Sequence, residues 1–322
     1  PIEGIYISCP LKYDPTAKAV YSGSSKEWSK LSKIGSEGRS TATTVLSYEN
    51  ITKMKDAGVV SVDRKLMTFV DARQDAALQA GHFNDFIRIG KIRSAIWNAV
   101  KDSDEPIGSD KIARLVFRHL NLSHEDYFRY PNWSGGRAKK VEGVMEKYLG
   151  TIIYDDLAGN WQGNMPNLED CALLKINYEF LHDEITGENG CERLYDIPEL
   201  DGLSDESKER FIVQILDYMR HKLCINSDER TEEAAKDLEK QVRENLKSPW
   251  TLDDNDRITS AHALCFVKPQ NRRKAYGKEI AGYRSKLAFF IRDFLSANGG
   301  TATIGSAEEY VSYMQSLFTA LG

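Results

Sequence analysis

The chain has 322 residues, a formal net charge of −5 at pH 7, 41 % apolar residues and 28 % charged ones. That is room for about two domains with sizeable cores. The charge excludes a surface that is basic throughout, and no run approaches the roughly 18 apolar residues of a membrane-spanning helix. Cys9, Cys171, Cys191, Cys224 and Cys265 lie far apart with no CxxC pair, which fits reduced thiols better than a disulfide frame or a zinc site. Pro1 to Pro10 has neither the basic start nor the apolar core of a secretory signal, so a cytoplasmic, non-membrane protein is expected.

In chain order, Gly4–Cys9 and Ala17–Tyr21 are β-prone and predict a small hairpin around Pro10–Thr16. Ser22–Thr41 is rich in Ser, Lys and Gly and reads as a linker. Val45, Leu46, Ile51 and Met54 are spaced for a helix over Ala42–Ala57, which Gly58 stops. Lys65–Val70 is a short apolar run that predicts a buried strand. Gln74–Val100 then reads as helix, with breaks allowed at Gly81 and Gly90 and an apolar side that includes Leu78, Phe83, Phe86, Ile92, Ile96 and Trp97.

Asp102–Gly108 is a turn, followed by a helix from Ser109 and a capping-box pattern at Ser123–Asp126 that precedes an aromatic-rich loop through Trp133. Arg137–Tyr154 predicts a helix with Val141, Val144, Met145, Tyr148 and Leu149 on one side. Cys171–Tyr178 suits a strand, with a helix as the alternative. Asp205–Cys224 carries the clearest stripe, Phe211, Ile212, Ile215, Leu216, Met219 and Leu223. Thr231–Leu246 is mostly charged and is expected to lie exposed, and helices over Tyr283–Leu295 and Ser306–Leu321 close the chain, the last opened by Ser306 with Glu309. Composition and pattern together give a mainly α fold with a small α/β element.

Two stretches draw functional attention. A strand ending at Val70 delivers Asp71, Arg73, Gln74 and Asp75 to the mouth of a sheet, where ligands of open α/β sheets gather. Arg73 and Gln74 suit a phosphate oxygen, while a salt bridge from Arg73 to Asp71 or Asp75 is the plain alternative. His82 and Asp85, one helical turn apart, form an acid/base or ligand pair at most, and a packed histidine between aromatic neighbours fits them better. From Arg272 to Lys286 six basic residues, Arg272, Arg273, Lys274, Lys278, Arg284 and Lys286, face the single acid Glu279, with Tyr276 and Tyr283 among them. That composition suits contact with a nucleic-acid backbone, with a solvated basic loop as the plainer and slightly favoured reading. A helix-turn-helix across Asn298–Gly305 is disfavoured because Ser306–Leu321 holds no Lys or Arg. By contrast Asp183–Glu209 is dominated by acids.

The block Thr68-Phe69-Val70-Asp71-Ala72-Arg73-Gln74-Asp75-Ala76-Ala77-Leu78-Gln79-Ala80-Gly81-His82-Phe83-Asn84-Asp85-Phe86 resembles the motif that opens the second RecA-like lobe in a group of large bacterial DEAD/DEAH-box superfamily 2 helicases, some relatives of which act in phage defence. Shorter matches follow at Glu37–Thr44, Pro166–Cys171, Leu216–Arg220 and Pro249–Trp250. Val70 and Ala72 depart from the polar residues the pattern favours. The phosphate-binding loop, DExx box and final arginine motif are missing, and phosphoryl transfer needs them together. The resemblance therefore implies a piece of a longer ATP-dependent DNA helicase or translocase that does not hydrolyse ATP alone. No cofactor or metal is expected in the chain, and ATP with Mg²⁺ is expected in its parent. Pro1 without an initiator Met and Gly322 directly after an amphipathic helix suit such a piece.

On that implication, 1–62 is a lead-in with hairpin, linker and one helix, and 63–101 is the first strand and helix of the RecA-like lobe. The remainder, 102–322, is a helical insertion or accessory domain, with winged-helix-like parts as an option. Asp71, Arg73, Gln74, Asp75 and His82 would face nucleic acid or the inter-lobe cleft, with the basic residues at 272–286 as a secondary patch. DNA and the rest of the helicase chain are the expected partners. The alternative is a non-enzymatic module that binds proteins of a bacterial defence or repair complex.

Overall fold

The computed structural model describes residues 13–14, 19–20, 39–60, 62–67, 73–159, 167–187, 200–268, 277–300 and 304–320, with the backbone alone at 13–14, 19–20, 39–42, 73–82 and 320. Among the described residues the chain is mainly helical, with ten α-helices and two small two-stranded sheets. It divides into two compact units, one formed by Pro1–Gly150, Asn160–Leu174 and Asn245–Thr251, the other by Thr151–Gly159, Lys175–Glu244 and Leu252–Gly322.

In the first unit β1 (Tyr13–Asp14) and β2 (Ala19–Val20) pair antiparallel with Tyr13 opposite Val20. The hairpin is therefore tighter than expected, its first strand falling inside the anticipated loop, and 4–9 lies outside the described residues. Helix α1 (Arg39–Asp56) starts earlier than its apolar spacing suggested. It is closed off by Gly58, whose φ of +78° lets Gly58 N–H reach Lys55 O and Val59 N–H reach Met54 O, both at 3.0 Å. That paired closure is what a left-handed C-terminal glycine provides.

The strand expected over Lys65–Val70 is corrected for its first half. Lys65, Leu66 and Met67 take no strand conformation, and Leu66 and Met67 are 41 % and 78 % exposed. A strand needs a neighbour to bond to, and none lies beside them among the described residues; Thr68–Val70 lies outside these. Helix α2 (Arg73–Lys101) runs unbroken through Gly81 and Gly90. Its hold comes from burial of Ile89, Ile92, Ala95, Ile96 and Ala99 at helical spacing, each large aliphatic side chain stabilising by about 1.5–3 kcal/mol. Trp97, expected on that apolar side, is 37 % exposed.

Helix α3 (Ser109–Leu120) packs back on α2 after the turn at Asp102–Gly108. The short α4 (His124–Tyr127) opens with Ser123, whose backbone N–H and hydroxyl both donate to the Asp126 carboxylate at 2.7 Å. Helix α5 (Gly135–Ala158) buries Val141, Val144, Met145, Tyr148 and Leu149, as its pattern predicted. It meets α3 where a Cβ on Gly150 would lie 3.7 Å from the Ala113 methyl, and where Arg114 Nε pairs with Glu146 at 3.1 Å. Phe128 bridges to Leu246, and both are buried.

Cys171–Tyr178 forms no strand. Asn167 and Asp170 exchange side-chain to backbone hydrogen bonds that turn the chain there, and Cys171 and Leu173 are exposed. An exposed apolar pair without a partner strand has nothing to hold it extended.

The second unit is built on α6 (Leu181–Thr186), α7 (Asp205–His221), a 3-10 turn at Asp228–Arg230, α8 (Glu232–Asn245), the parallel pair β3 (Ala263–Cys265) and β4 (Lys278–Ile280), α9 (Lys286–Ala297) and α10 (Ala307–Ala320). Phe211, Ile212 and Ile215 of α7 join Leu287, Ile291 and Leu295 of α9 and Tyr310, Met314 and Leu317 of α10 in one core. Ser285 caps α9 by accepting Ala288 N–H at 3.2 Å, which is why this helix starts after Tyr283. Ser306 and Glu309 exchange bonds of 3.1 Å to open α10. The exposed placement expected for Thr231–Leu246 is corrected: α8 buries Ala235, Leu238, Glu239, Val242 and Asn245 on one face. Apart from Glu239, its acids and lysines lie on the other side.

Candidate nucleic-acid interface

Arg73, Gln74 and Asp75 form the opening turn of α2, and His82 stands about two and a half turns further along the same helix. Asp71 lies outside the described residues, as do the side chains of Arg73, Gln74, Asp75 and His82. Asp85 is bound to Arg88 at 3.3 Å, and Arg88 Nη1 also donates to Pro249 O at 3.4 Å. Two segments of the helicase-like pattern, Asp85 and Pro249-Trp250, thus meet at one guanidinium, beside a Trp250 that is only 2 % exposed.

The secondary basic patch is described in part. Arg272, Arg273, Lys274 and Tyr276 lie outside the described residues. Lys278 starts β4, Arg284 precedes the cap of α9 and Lys286 opens that helix, all three exposed. Glu279, the acid among them, is drawn away: Tyr218 donates to it at 2.7 Å and Lys222 Nζ lies at 3.6 Å. The Tyr283 hydroxyl donates to Gly305 O at 2.9 Å and Arg292 covers the ring at 4.3 Å. Tyr283 is therefore a packed side chain, not the stacking group its sequence neighbours suggested.

Sequence reading missed a cavity of about 410 Å³ lined by residues of α1, α2 and α3, among them Tyr48, Phe86, Lys91, Ser94, Asn98 and His119. Phe86 closes the helicase-like block, so one end of that block lines a space carrying two aromatic rings, a cation and neutral donors. His119 Nε2 lies 3.9 Å from Asp102. Tyr48, Phe86 and His119 come from three helices, and no sequence spacing joins them.

Other polar clusters are structural. Asp217, within Leu216–Arg220, accepts from Tyr178 at 2.8 Å and from Arg220 at 3.2 Å, while Arg220 Nη1 donates to Leu157 O at 2.7 Å. Burial, then the bond to Asp217, pushes the Tyr178 hydroxyl above its ordinary value. Cys224 is buried and its thiol is pushed up to about 11, first by desolvation and then by Glu279. Such a thiol is inert as a nucleophile at neutral pH.

Among the described residues no group of three or more His, Cys, Asp or Glu side chains is placed to hold a metal ion, and no helix is long and apolar enough to cross a membrane. Comparison with protein-family models, with curated proteins and with solved structures finds no match in any of the three.

Proposed function

We propose that this chain is part of an ATP-dependent DNA helicase or translocase, in which it contributes nucleic-acid-backbone contacts and structure between lobes and does not itself hydrolyse ATP. The carrying observation is the block Thr68–Phe86, whose Arg73, Gln74 and Asp75 fall together on the opening turn of a helix of 29 residues. A guanidinium and an amide there, next to the positive end of the helix, suit a phosphate oxygen. The RecA-like attachment, ATP and Mg²⁺ belong to the same reading and to the parent chain. In that parent, Arg73→Ala lowers DNA-stimulated ATPase and unwinding; unchanged rates sink the role given to Arg73.

A second reading, a protein-interaction module of a bacterial defence or repair complex, is favoured by the exposed acids Asp201, in the turn before α7, and Asp205 and Glu206 in its first turn. A gel shift with single-stranded and duplex DNA separates the two. No binding by this chain, together with normal DNA binding by a parent lacking it, selects the second.

A further inference from the structure

The loop between α4 and α5 gathers a different set of groups. Tyr130-Pro131-Asn132-Trp133 closes a turn in which Trp133 N–H donates to Tyr130 O at 3.2 Å, with proline in the second position where its fixed φ suits such a turn. The turn brings the Tyr130 and Trp133 rings to 4.9 Å between centroids, tilted by 50°. Arg137 lies over the Trp133 ring at 3.9 Å and Arg129 over the Tyr130 ring at 6.0 Å. Trp133 is thus covered from two sides, whereas Tyr130 is 51 % exposed. Arg129, Arg137, Lys139 and Lys140 are all exposed, and 129–140 contains no acid.

The base of this loop is fixed. Arg129 N–H donates to Asn245 O at 2.9 Å and Lys247 N–H to Tyr127 O at 3.0 Å, either side of the buried Phe128 and Leu246. Lys91 and Lys247 are close enough to act on Asp126, whose charge is already held by Ser123. Tyr130 is thus a half-exposed aromatic ring held against a second ring, with Arg129 over it and Arg137, Lys139 and Lys140 exposed further along the same segment. Its chemistry matches a ligand with planar apolar rings joined by negative charges.

We propose that the Tyr130–Trp133 turn, with Arg129, Arg137, Lys139 and Lys140, is a binding site for single-stranded nucleic acid. A base stacks on the exposed part of the Tyr130 ring, between Trp133 and Arg129, and the exposed cations of the segment take the adjacent phosphates. A paired base has its faces occupied in the duplex, so the ring selects the single strand. The site uses none of Arg73, Gln74 and Asp75; only the preference for nucleic acid over other anionic ring compounds rests on the helicase reading.

The test is fluorescence anisotropy of a labelled oligothymidine with the 322-residue chain, against a duplex and against free thymidine monophosphate. Tyr130→Ala weakens oligothymidine binding about tenfold, Tyr130→Phe leaves it near the parent value, and duplex and mononucleotide bind more weakly. Lys139→Gln with Lys140→Gln lowers the slope of log affinity against log salt by about 1.4. Far-UV circular dichroism shows each variant folded. Unchanged oligothymidine affinity in folded Tyr130→Ala, equal affinity for duplex, or no binding at low salt overturns the proposal. Binding that ignores Tyr130 leaves the Arg73 reading standing, and parental ATPase that ignores Arg73 leaves the Tyr130 measurement standing, so the two fail separately.

Discussion

Arg137 in the first unit and Arg230 in the second each lie over an aromatic ring, Trp133 at 3.9 Å and Tyr154 at 5.6 Å. Their surroundings are opposite. Arg230 is 3 % exposed and spends its donors inside the unit, on the Asp155 carboxylate and on the carbonyls of Thr151 and Thr259. Arg137 is exposed, on the segment that carries the half-exposed Tyr130. An arginine on a ring is therefore a strut where its donors are already used and a ligand contact where they face water.

The largest effect that separates the two is on stability. Arg230→Ala removes the charged partner of the Asp155 carboxylate and one bond each from the Thr151 and Thr259 carbonyls and costs about 1.5–3 kcal/mol, read as a lowered urea midpoint. Oligothymidine affinity measured well below the transition stays unchanged. If the midpoint hardly moves, Arg230 is not the strut described.

The same contrast holds between tyrosines. Tyr310 is fully buried and donates to Ala281 O at 2.9 Å, whereas Tyr130 offers its ring to solvent. Tyr310→Phe strands that carbonyl and costs about 1–2 kcal/mol. Burial pushes the Tyr310 hydroxyl up to about 12 from 10.0. A raised folded value means its contribution is fully present below pH 10 and is lost as pH rises through about 12. Stability curves of parent and Tyr310→Phe should therefore converge above that pH; parallel curves would refute the assignment.

How much of this was legible follows from where the signals sit. The stripes of α5 and α7 are local and periodic, so burial of Val141 to Leu149 and of Phe211 to Ile215 was readable directly. In α8 the spacing of Ala235, Leu238 and Val242 was equally regular, but the density of charge hid it. The strand over Lys65–Met67 was drawn from composition, which says nothing about whether a neighbour is there to pair with. Likewise the charge count at 272–286 put Tyr283 among ligand contacts, while a carbonyl at Gly305 and a cation at Arg292 had claimed it. The aromatic loop through Trp133 was visible as composition. Its use depends on the 4.9 Å approach of two rings, which follows from the Pro131 turn and from no periodicity.

The loop also rests on α4. Asp126→Ala removes both bonds to Ser123 and costs about 1 kcal/mol at neutral pH. Those bonds hold the Asp126 carboxyl below its ordinary value, with Lys91 and Lys247 adding to the effect. A depressed folded value means the contribution is present above about pH 4 and is lost as pH falls through the folded value. The difference in urea midpoint between parent and variant should shrink in acid; a difference that persists there would point to lost packing.

The smallest change in stability belongs to Arg137, and it sharpens the comparison most. Arg137→Gln removes an exposed cation whose contact with Trp133 is worth about 0.5–1 kcal/mol at most, so the urea midpoint barely moves. Binding behaves differently, because the cation serves both as a cover for Trp133 and as a phosphate contact. Its loss lowers the salt slope by about 0.7 and lets the Trp133 ring move, which blurs the surface Tyr130 presents. Arg137→Lys keeps the charge and restores the slope, but a compact ammonium does not cover an indole as a planar guanidinium does. Affinity in Arg137→Lys should therefore stay below the parent while its salt slope matches. Full recovery of both would reduce Arg137 to a point charge and remove the reason for treating its contact with Trp133 as part of the site.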